Sequence, residues 1–582
     1  MLLARCAGLR VLVTSRGPLQ AAGERVLPLD GLATDAATEL FVARAQAVNP
    51  RVTLPGQAVR RIVERLEGLP LAVELAAARA ISLTVEQIEA GLGEPLDLLA
   101  GEARGADARH RTIRAVIGWS HDLLPAPDRA ALAELSVFAG PFTLAAARQV
   151  AGEQAPGCAE RLLSRCLLTR AADVAGQARY RMLEVVRQYA KQQADPQMWD
   201  SARERHLAYH AELAQQMAAE LQTSTAPQWA DLARACTEDF RVAVRFALEA
   251  RSPAAGSLVA DLYWPWFLDG RLAELRSWAL AAQQITAGKR TRARLDRVLA
   301  STSVALGDID QAGQAATRQL ATGHQIGDDE LIALAHNLLG MVAWARGDRS
   351  APEHHTAALR HARRAGRPWP LALVTALAGR AAHAAGDHDR GGDLLTEAVR
   401  LAERLGEPMV LGSALDYQAH AAYVAGSHQQ AANLTIRALA AYQHIGYQEG
   451  LASAGALAAS LAVLTGQDEN ADHLLAQAYD ACQRMGHAGG TATVLETAAL
   501  RHHQRGDHRA AIQALAAAND QRTRSGTAVP PELAGPLRRL ETQLQVAVGA
   551  SEFARHWQAR PPAQAALFGR GAEPALGGLD LS

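Results

Sequence analysis

The chain has 582 residues, more than one hydrophobic core usually serves, so three or more modules are expected. Its 59 basic and 60 acidic side chains nearly cancel, which excludes a global field that would draw the protein to nucleic acid or to a membrane surface. Five widely spaced cysteines without a C-x-x-C pair exclude a disulfide framework and a cysteine-based zinc site, and they favour a reducing cytoplasm. No uncharged apolar run reaches the roughly 18 residues of a membrane span.

Apolar spacing near the start predicts a small α/β segment followed by helices. Leu9–Val13 is a short apolar run typical of a buried strand, and it leads into the tripeptide T-S-R, which ends at Arg16. Residues 36–48 have helical spacing, and another helix is predicted over 57–66. The next helix begins in the motif G-L-P-L with Pro70 in its first turn, a position that suits proline.

Four strings of residues carry a family resemblance, and they lie at 110–115, 119–124, 135–144 and 180–190. Together with T-S-R and G-L-P-L upstream, their order resembles the NB-ARC or STAND class of nucleotide-dependent switches, in particular the large bacterial transcriptional regulators of the SARP and LuxR type. The resemblance implies four modules before the repeats: a C-terminal remnant of a nucleotide-binding domain at 1–50, a helical lid at 51–105, a winged-helix domain at 106–195 and a helical connector at 196–286.

The same resemblance implies a nucleotide site. Arg16 would be the sensor arginine that reaches the γ-phosphate, and Pro70 would line the adenine pocket, so ATP or ADP is the cofactor that the family suggests. A guanidinium facing a phosphate is sound chemistry. From the residues alone, Arg16 also fits a surface arginine after a strand, and Pro70 also fits a proline at a helix start.

The residues that an ATPase of this class needs are not found. The phosphate-binding loop G-x-x-x-x-G-K-[ST] requires a lysine, and the chain has only Lys191 and Lys289, neither in such a loop. No acidic Walker B strand precedes Leu9, and Leu183 stands where the wider class has a histidine that touches the diphosphate. We therefore expect that the chain begins partway through the nucleotide-binding domain, that it does not hydrolyse ATP alone, and that it has no catalytic residues.

Glycine recurs at a fixed period in the second half. One series is spaced by 39 or 40 residues, at Gly307, Gly347, Gly386, Gly426, Gly466 and Gly506. A second series follows each member by 19 or 20 residues, at Gly327, Gly366, Gly406, Gly446, Gly486 and Gly526. Because glycine readily takes the left-handed conformation that ends a helix, each unit is predicted to contain two helices of about 16 residues.

Small residues at two further positions in these units let the helices approach closely. They lie five residues after the first glycine, at Ala312, Gly391, Ala431, Ala471 and Ala511, and twelve after it, at Ala398, Ala438, Ala478 and Ala518. Pro352 is the exception. The pattern resembles the tetratricopeptide repeat, although that family's usual unit is shorter. It predicts about six helical hairpins over 287–528, stacked into an α-solenoid, followed by a terminal helix and a disordered tail at 529–582.

Histidines are the remaining candidates for metal binding. They occur in the turns (His388, His428, His508) and as the pairs His354-His355 and His502-His503, and all of these fit exposed turn and helix positions. His206 and His210 are four residues apart on a predicted helix, and we expect them to be surface residues. No metal site is therefore predicted.

The fold is predicted to be mainly α, with a small α/β remnant, a winged helix and an α-solenoid. The first functional hypothesis is the sensor and protein-interaction part of a STAND-type transcriptional regulator, which binds a protein or small-molecule effector on the repeats. The alternatives are a free-standing tetratricopeptide adaptor without a nucleotide response, and a nucleotide hydrolase completed by another chain. In the family the winged helix is mainly an internal clamp, so DNA contact is expected to be indirect. No membrane partner is expected, the location is expected to be cytoplasmic, and an oligomer is left open.

Overall fold

Helices form nearly all of the chain that the computed structural model describes. The described residues are 12–13, 24–25, 27, 29, 31–92, 113–464, 468–485, 488–525, 527, 529, 531–559 and 562–568. Arg16 and most of the predicted strand at Leu9–Val13 lie outside them. Within these ranges, no helix is long and apolar enough to cross a membrane. The mainly α fold class is confirmed.

The chain divides into two units. Unit 1 comprises residues 1–210 and 235–246, and unit 2 comprises 211–234 and 247–582, so the division falls within the predicted connector. The regular elements of unit 1 up to its last complete helix are α1 (Thr34–Val48), α2 (Gly56–Arg65), α3 (Pro70–Ala78), a 3-10 turn (Arg79–Ile81), α4 (Val85–Gly91), α5 (Ile113–Asp122), α6 (Ala126–Leu135), α7 (Leu144–Ala151), α8 (Ala155–Ser164), β1 (Thr169–Val174), β2 (Gln177–Arg181) and α9 (Glu184–Gln193).

The glycine of G-L-P-L has a backbone role in unit 1. Gly68 has a φ of 63°, and its carbonyl oxygen accepts a 2.8 Å hydrogen bond from the N–H of Leu32. A Cβ on Gly68 would lie 2.1 Å from the carbonyl oxygen of Leu32, so only glycine fits there. Pro70 is the first residue of α3, which is where a missing N–H costs nothing.

The winged-helix region is built from α6 to α9 and the two strands. β1 and β2 pair antiparallel, with Arg170 opposite Tyr180, and Phe142 forms a bridge to Tyr180 from before α7. The rings of Phe138 and Phe142 stack with their centroids 4.6 Å apart in the core below. These aromatic side chains belong to the same hydrophobic core as the helices α1 to α4.

Unit 2 combines connector helices with the repeats. The connector helices are α10 (Pro196–Glu220), α11 (Ala226–Ala235), α12 (Thr237–Glu249), α13 (Ala254–Asp261), α14 (Tyr263–Leu268) and α15 (Leu272–Gln283), and the first three contribute residues to both units. The first three hairpins are α16 and α17 (Lys289–Ala305, Ile309–Ile326), α18 and α19 (Asp329–Ala345, Ala351–Ala365), and α20 and α21 (Pro368–Ala384, His388–Leu405).

The other three hairpins are α22 and α23 (Pro408–Val424, His428–Ile445), α24 and α25 (Gln448–Leu464, Asp468–Met485), and α26 and α27 (Ala488–Gln504, His508–Ser525). Three more helices follow them: α28 (Pro531–Val548), α29 (Ala550–Gln558) and α30 (Ala563–Phe568). The six predicted hairpins are therefore confirmed. In each one the two helices pack on each other, and the first helix also contacts the first helix of the next hairpin.

The repeat glycines end helices, as their spacing predicts. The second helix of the first four hairpins ends at a left-handed glycine, with φ between 66° and 72°, at Gly327, Gly366, Gly406 and Gly446. The turns between the two helices hold glycines with φ between 70° and 88°, at Gly307, Gly347, Gly386, Gly426 and Gly506. Gly466, Gly486 and Gly526 lie outside the described residues.

The small residues are buried where helices meet. Ala312, Ala398, Ala431 and Ala438 have no exposed surface. Gly391 lies against the preceding helix so closely that a Cβ would come within 2.9 Å of the backbone nitrogen of His383. Its neighbour Gly392 is exposed, and nothing lies within 4 Å of the position that its Cβ would take.

We predict opposite effects for alanine at these two positions. Gly391→Ala should destabilise the array by about 1–3 kcal/mol, because the two helices must separate to admit a methyl group. Gly392→Ala should stabilise it by about 0.5–1 kcal/mol, because alanine is the better helix former in open space. Urea unfolding of the two variants and the parent chain measures both effects. Equal effects of the two substitutions would contradict the close packing.

Candidate functional site

A cavity of about 370 Å³ lies in unit 2, between the connector helices and the first helices of hairpins one and two. Its size is in the range of small-molecule sites. Gln215 and Ala218 of α10 lie on one side, and Tyr263 and Trp264 of α14 lie beside them. The remaining walls come from α13, from α16, from the start of α18 and from Arg367 just before α20.

Aromatic and aliphatic side chains form the apolar part of the cavity. Tyr263 and Trp264 begin the sequence Tyr-Trp-Pro-Trp-Phe, which forms the short helix α14. Both side chains are buried, and the Trp264 ring also meets the Trp369 ring edge-on, with centroids 4.8 Å apart. Leu331 and Leu334 of α18 add aliphatic surface. The connector is thus packed against the repeats, and it supplies half of the site.

Charged side chains line the rest of the cavity, and most are paired. Four arginines and three carboxylates are among its lining residues. Three ion pairs take up all three carboxylates: Arg290 with Asp328 at 3.0 Å, Arg294 with Asp261 at 2.5 Å, and Arg367 with Glu330 at 3.2 Å. Asp328 also caps α18 by accepting from the backbone N–H groups of Glu330 and Leu331.

Arg297 differs from the other three arginines. Its guanidinium lies over the ring of Tyr263, 4.9 Å from the centroid, and 5.5 Å from that of Trp264. Among the described residues, no carboxylate is within ion-pair distance of it. Burial lowers the pKa of Arg297 below its ordinary value, although Tyr263 and Glu330 act to raise it. Arg297 therefore contacts two aromatic rings and forms no ion pair with a described carboxylate.

A second polar group in the cavity has no partner. The indole nitrogen of Trp264 is buried, and no hydrogen-bond acceptor for it is found in the described part of the chain. Buried N–H groups are normally paired, so an unpaired donor beside an unpaired cation needs an explanation. The two groups lie next to the same cavity, since the Arg297 guanidinium stands over the Trp264 ring.

No pattern in the sequence pointed to the residues that line this cavity. Aromatic side chains make up only 4% of the chain, yet four of them fall within the five residues 263–267. That local concentration was the signal that could have identified α14 as a functional element. The arginines gave no such signal, because arginine is spread throughout the chain.

Only one of the two family-implied nucleotide contacts lies among the described residues. Pro70 is exposed at the first turn of α3, and Arg16 lies outside the described residues. Both assignments stay predictions. Nearby, Glu67 follows α2, the first helix of the predicted lid. Glu67 accepts a 3.3 Å hydrogen bond from the N–H of Glu184 and pairs with Arg181 at 3.4 Å. The lid thus contacts the winged-helix region directly within unit 1.

His206, His210 and Asp239 form a buried cluster in unit 1, with their ligand atoms within 4.8 Å of one another. The prediction that the two histidines are surface residues is wrong, because α10 packs this face beneath the rings of Phe138 and Phe240. His206 Nε2 is 3.2 Å from Asp239 Oδ1, and His210 Nδ1 is 2.8 Å from the carbonyl oxygen of His206. These hydrogen bonds account for the cluster without an ion.

Burial and the neighbouring His206 lower the pKa of His210 to about 3. Burial acts to raise the pKa of Asp239, but the hydrogen bond from His206 and the two imidazoles hold it below its ordinary value. His210 is therefore neutral in the folded chain at neutral pH. Of the histidine pairs expected to be exposed, His355 and His502 are also buried, since both lie on helix faces that pack inward.

The His210 shift predicts a loss of stability in acid. Below pH 6.5 the unfolded chain binds a proton at this position and the folded chain does not, so stability falls as the pH drops towards 3. At pH 5 the expected loss is about 2 kcal/mol relative to pH 7.5. Urea unfolding at both pH values should show a smaller difference for His210→Leu than for the parent chain. His473→Leu, at an exposed position, is the control; equal pH dependence in all three proteins would contradict the assignment.

Comparisons with known proteins support the winged helix. Residues 124–195 match the family model described as a winged helix-turn-helix domain. The chain is 34% identical over 374 residues to a protein of Mycobacterium tuberculosis with the provisional name HTH-type transcriptional regulator, covering 60% of this chain and 42% of that one. It is also 40% identical over 202 residues to an uncharacterized protein of Mycobacterium bovis, covering 32% of this chain and 51% of that one.

The chain therefore spans less than half the length of the regulator that it matches. Two solved structures are more distant. A STAND-class signal-transduction ATPase with a tetratricopeptide-repeat sensor from Pyrococcus horikoshii has a TM-score of 0.39 at 13% identity, over 91% of this chain and 75% of that one. A Rap protein in complex with competence and sporulation factor has a TM-score of 0.45 at 11% identity, over 61% of this chain and 98% of that one. Such scores do not bear on what this chain binds.

Proposed function

We propose that the chain is the sensor portion of a transcriptional regulator, and that unit 2 binds a small-molecule effector in the cavity beside α14. The cavity carries this proposal, because it combines a preformed volume of about 370 Å³ with apolar walls and a few polar groups. The winged helix-turn-helix match and the similarity to an HTH-type regulator support the regulatory role.

Contact between the winged helix and DNA is proposed to be indirect. α8 exposes only a short basic surface, and both Arg161 within it and Arg165 directly after it are already engaged. Arg161 donates to both carboxylate oxygens of Asp128, and Arg165 donates to the carbonyl oxygen of Leu123 at 3.2 Å. Glu67 of the lid contacts the end of β2 and the start of α9, as an internal clamp requires.

Blocking the cavity tests effector binding. A thermal-shift screen of small metabolites against the purified chain should yield a compound that raises Tm, by an amount equivalent to about 2.7 kcal/mol at a hundred times its Kd. Ala218→Trp fills the cavity and should abolish the shift, whereas Gln216→Trp, an exposed site on the same helix, should keep it. A shift that survives Ala218→Trp would place the effector elsewhere and refute the cavity as its site.

We also propose that the chain alone is not an ATPase, since neither lysine can serve a phosphate-binding loop. Steady-state assays should detect no saturable ATP hydrolysis. Calorimetry with ADP and ATP then separates a switch from an adaptor. Binding that is lost in Arg16→Ala supports the family-implied sensor, and the absence of binding to the parent chain supports the adaptor. Saturable hydrolysis would overturn the proposal.

A further inference from the structure

We propose that the effector cavity is an oxyanion site: Arg297 and the indole N–H of Trp264 bind the carboxylate or phosphate group of a small organic anion, whose apolar part lies against the aromatic and aliphatic walls. This inference rests on the proposed function and specifies the ligand chemistry of the same cavity.

The charge balance of the cavity is the first reason. Each of its three carboxylates already has an arginine partner, and these ion pairs offset one another. Arg297 is left as a partly buried cation with no carboxylate partner among the described residues. A neutral ligand would remove water from this guanidinium without supplying a counter-charge, whereas an anion supplies one. Glu330 is the acidic group that acts most on Arg297, and it is held by Arg367.

The position of the guanidinium is the second reason. The guanidinium carbon of Arg297 lies 4.9 and 5.5 Å from the centroids of the Tyr263 and Trp264 rings, and the Tyr263 hydroxyl is also a hydrogen-bond partner of Arg297. A guanidinium has five N–H donors, so the contact with Tyr263 leaves others for the paired hydrogen bonds that carboxylates and phosphates accept. The aromatic helix α14 thus holds the cation in place before any ligand arrives.

The unpaired indole N–H of Trp264 is an independent observation. It is a buried donor without an acceptor in the described part of the chain. Trp264 lines the same cavity as Arg297, and the Arg297 guanidinium stands over its ring. An oxyanion has several lone pairs and can accept from the guanidinium and the indole together. A cationic ligand would satisfy neither group.

The apolar walls and the volume of the cavity predict the polarity and the size of the rest of the ligand. Leu331, Leu334 and Val298 also line the cavity, so the ligand should carry an apolar or aromatic group beside its charge. A volume of about 370 Å³ suits a compound of metabolite size and not a folded partner. Carboxylates and phosphates share this chemistry, and the experiment distinguishes them.

The test compares probes of equal shape and different charge. Benzoate, phenyl phosphate, benzyl alcohol and benzylamine are titrated into the full chain by calorimetry at concentrations up to the millimolar range. We expect at least one of the two anions to bind and the alcohol and the amine not to bind. The tighter anion identifies the carboxylate or the phosphate as the preferred group. Equal or tighter binding of the alcohol or the amine would overturn the proposal.

Variants of the two donors test the assignment. Arg297→Met should weaken anion binding by roughly tenfold or more, the range for a charge-assisted hydrogen bond. Arg292→Met, at an exposed position of the same helix, should leave binding unchanged. Trp264→Phe keeps the ring and removes the N–H, and a several-fold loss is expected. Arg297→Lys keeps the charge without the planar fork and should bind with intermediate affinity, which guards against loss of folding in the methionine variant.

The outcomes separate this inference from the proposed function. If a metabolite binds and Ala218→Trp abolishes its binding, but Arg297→Met does not weaken it, the cavity is an effector site and the oxyanion proposal is wrong. If neither anion binds and no metabolite binds, both proposals are wrong. Anion binding that is lost in Arg297→Met and in Ala218→Trp supports both.

Discussion

Left-handed glycines at the helix ends are the constraint on which the repeat architecture depends. A single hairpin of two amphipathic helices cannot bury its apolar face alone, so it must stack on its neighbours. Stacking in register requires helices of nearly equal length. The glycines provide this by stopping a helix about every 20 residues, and the small side chains at fixed positions then allow the helices to approach.

The connector helices add a cavity to the surface of the repeat array. A bare stack of hairpins has an extended surface suited to a protein partner. Here α14 packs against the repeats, with Trp264 against Trp369 and the rings of Phe267 and Tyr447 stacked 6.2 Å apart. Arg234 also donates to the carbonyl oxygen of Ile445 at 2.6 Å. Unit 2 consequently contains a cavity between the connector and the first two hairpins, and this cavity is the basis for proposing a small effector.

Electrostatics distinguishes this cavity from the rest of a nearly neutral protein. Most of its charges are paired across helices that are far apart in the chain, as in Arg294 with Asp261 and Arg367 with Glu330. Such ion pairs link the helices to one another and add little net charge to the cavity. Arg297 is stabilised by aromatic faces instead, and this gives the site its chemical character.

The sequence alone determined the repeat period, the helix ends of the repeats and the mainly α fold, because glycine conformation and apolar spacing are local properties that each segment carries with it. The winged-helix region was predicted from the family resemblance of the strings between residues 110 and 190. The sequence could not determine which distant side chains share a site. Arg297 and Trp264 are 33 residues apart and belong to different modules, and His206 looked like a surface residue until α12 placed Asp239 against it. Ion pairing, burial and the lack of a described carboxylate partner for Arg297 depend on how the helices pack in three dimensions, and only the tertiary structure decided them.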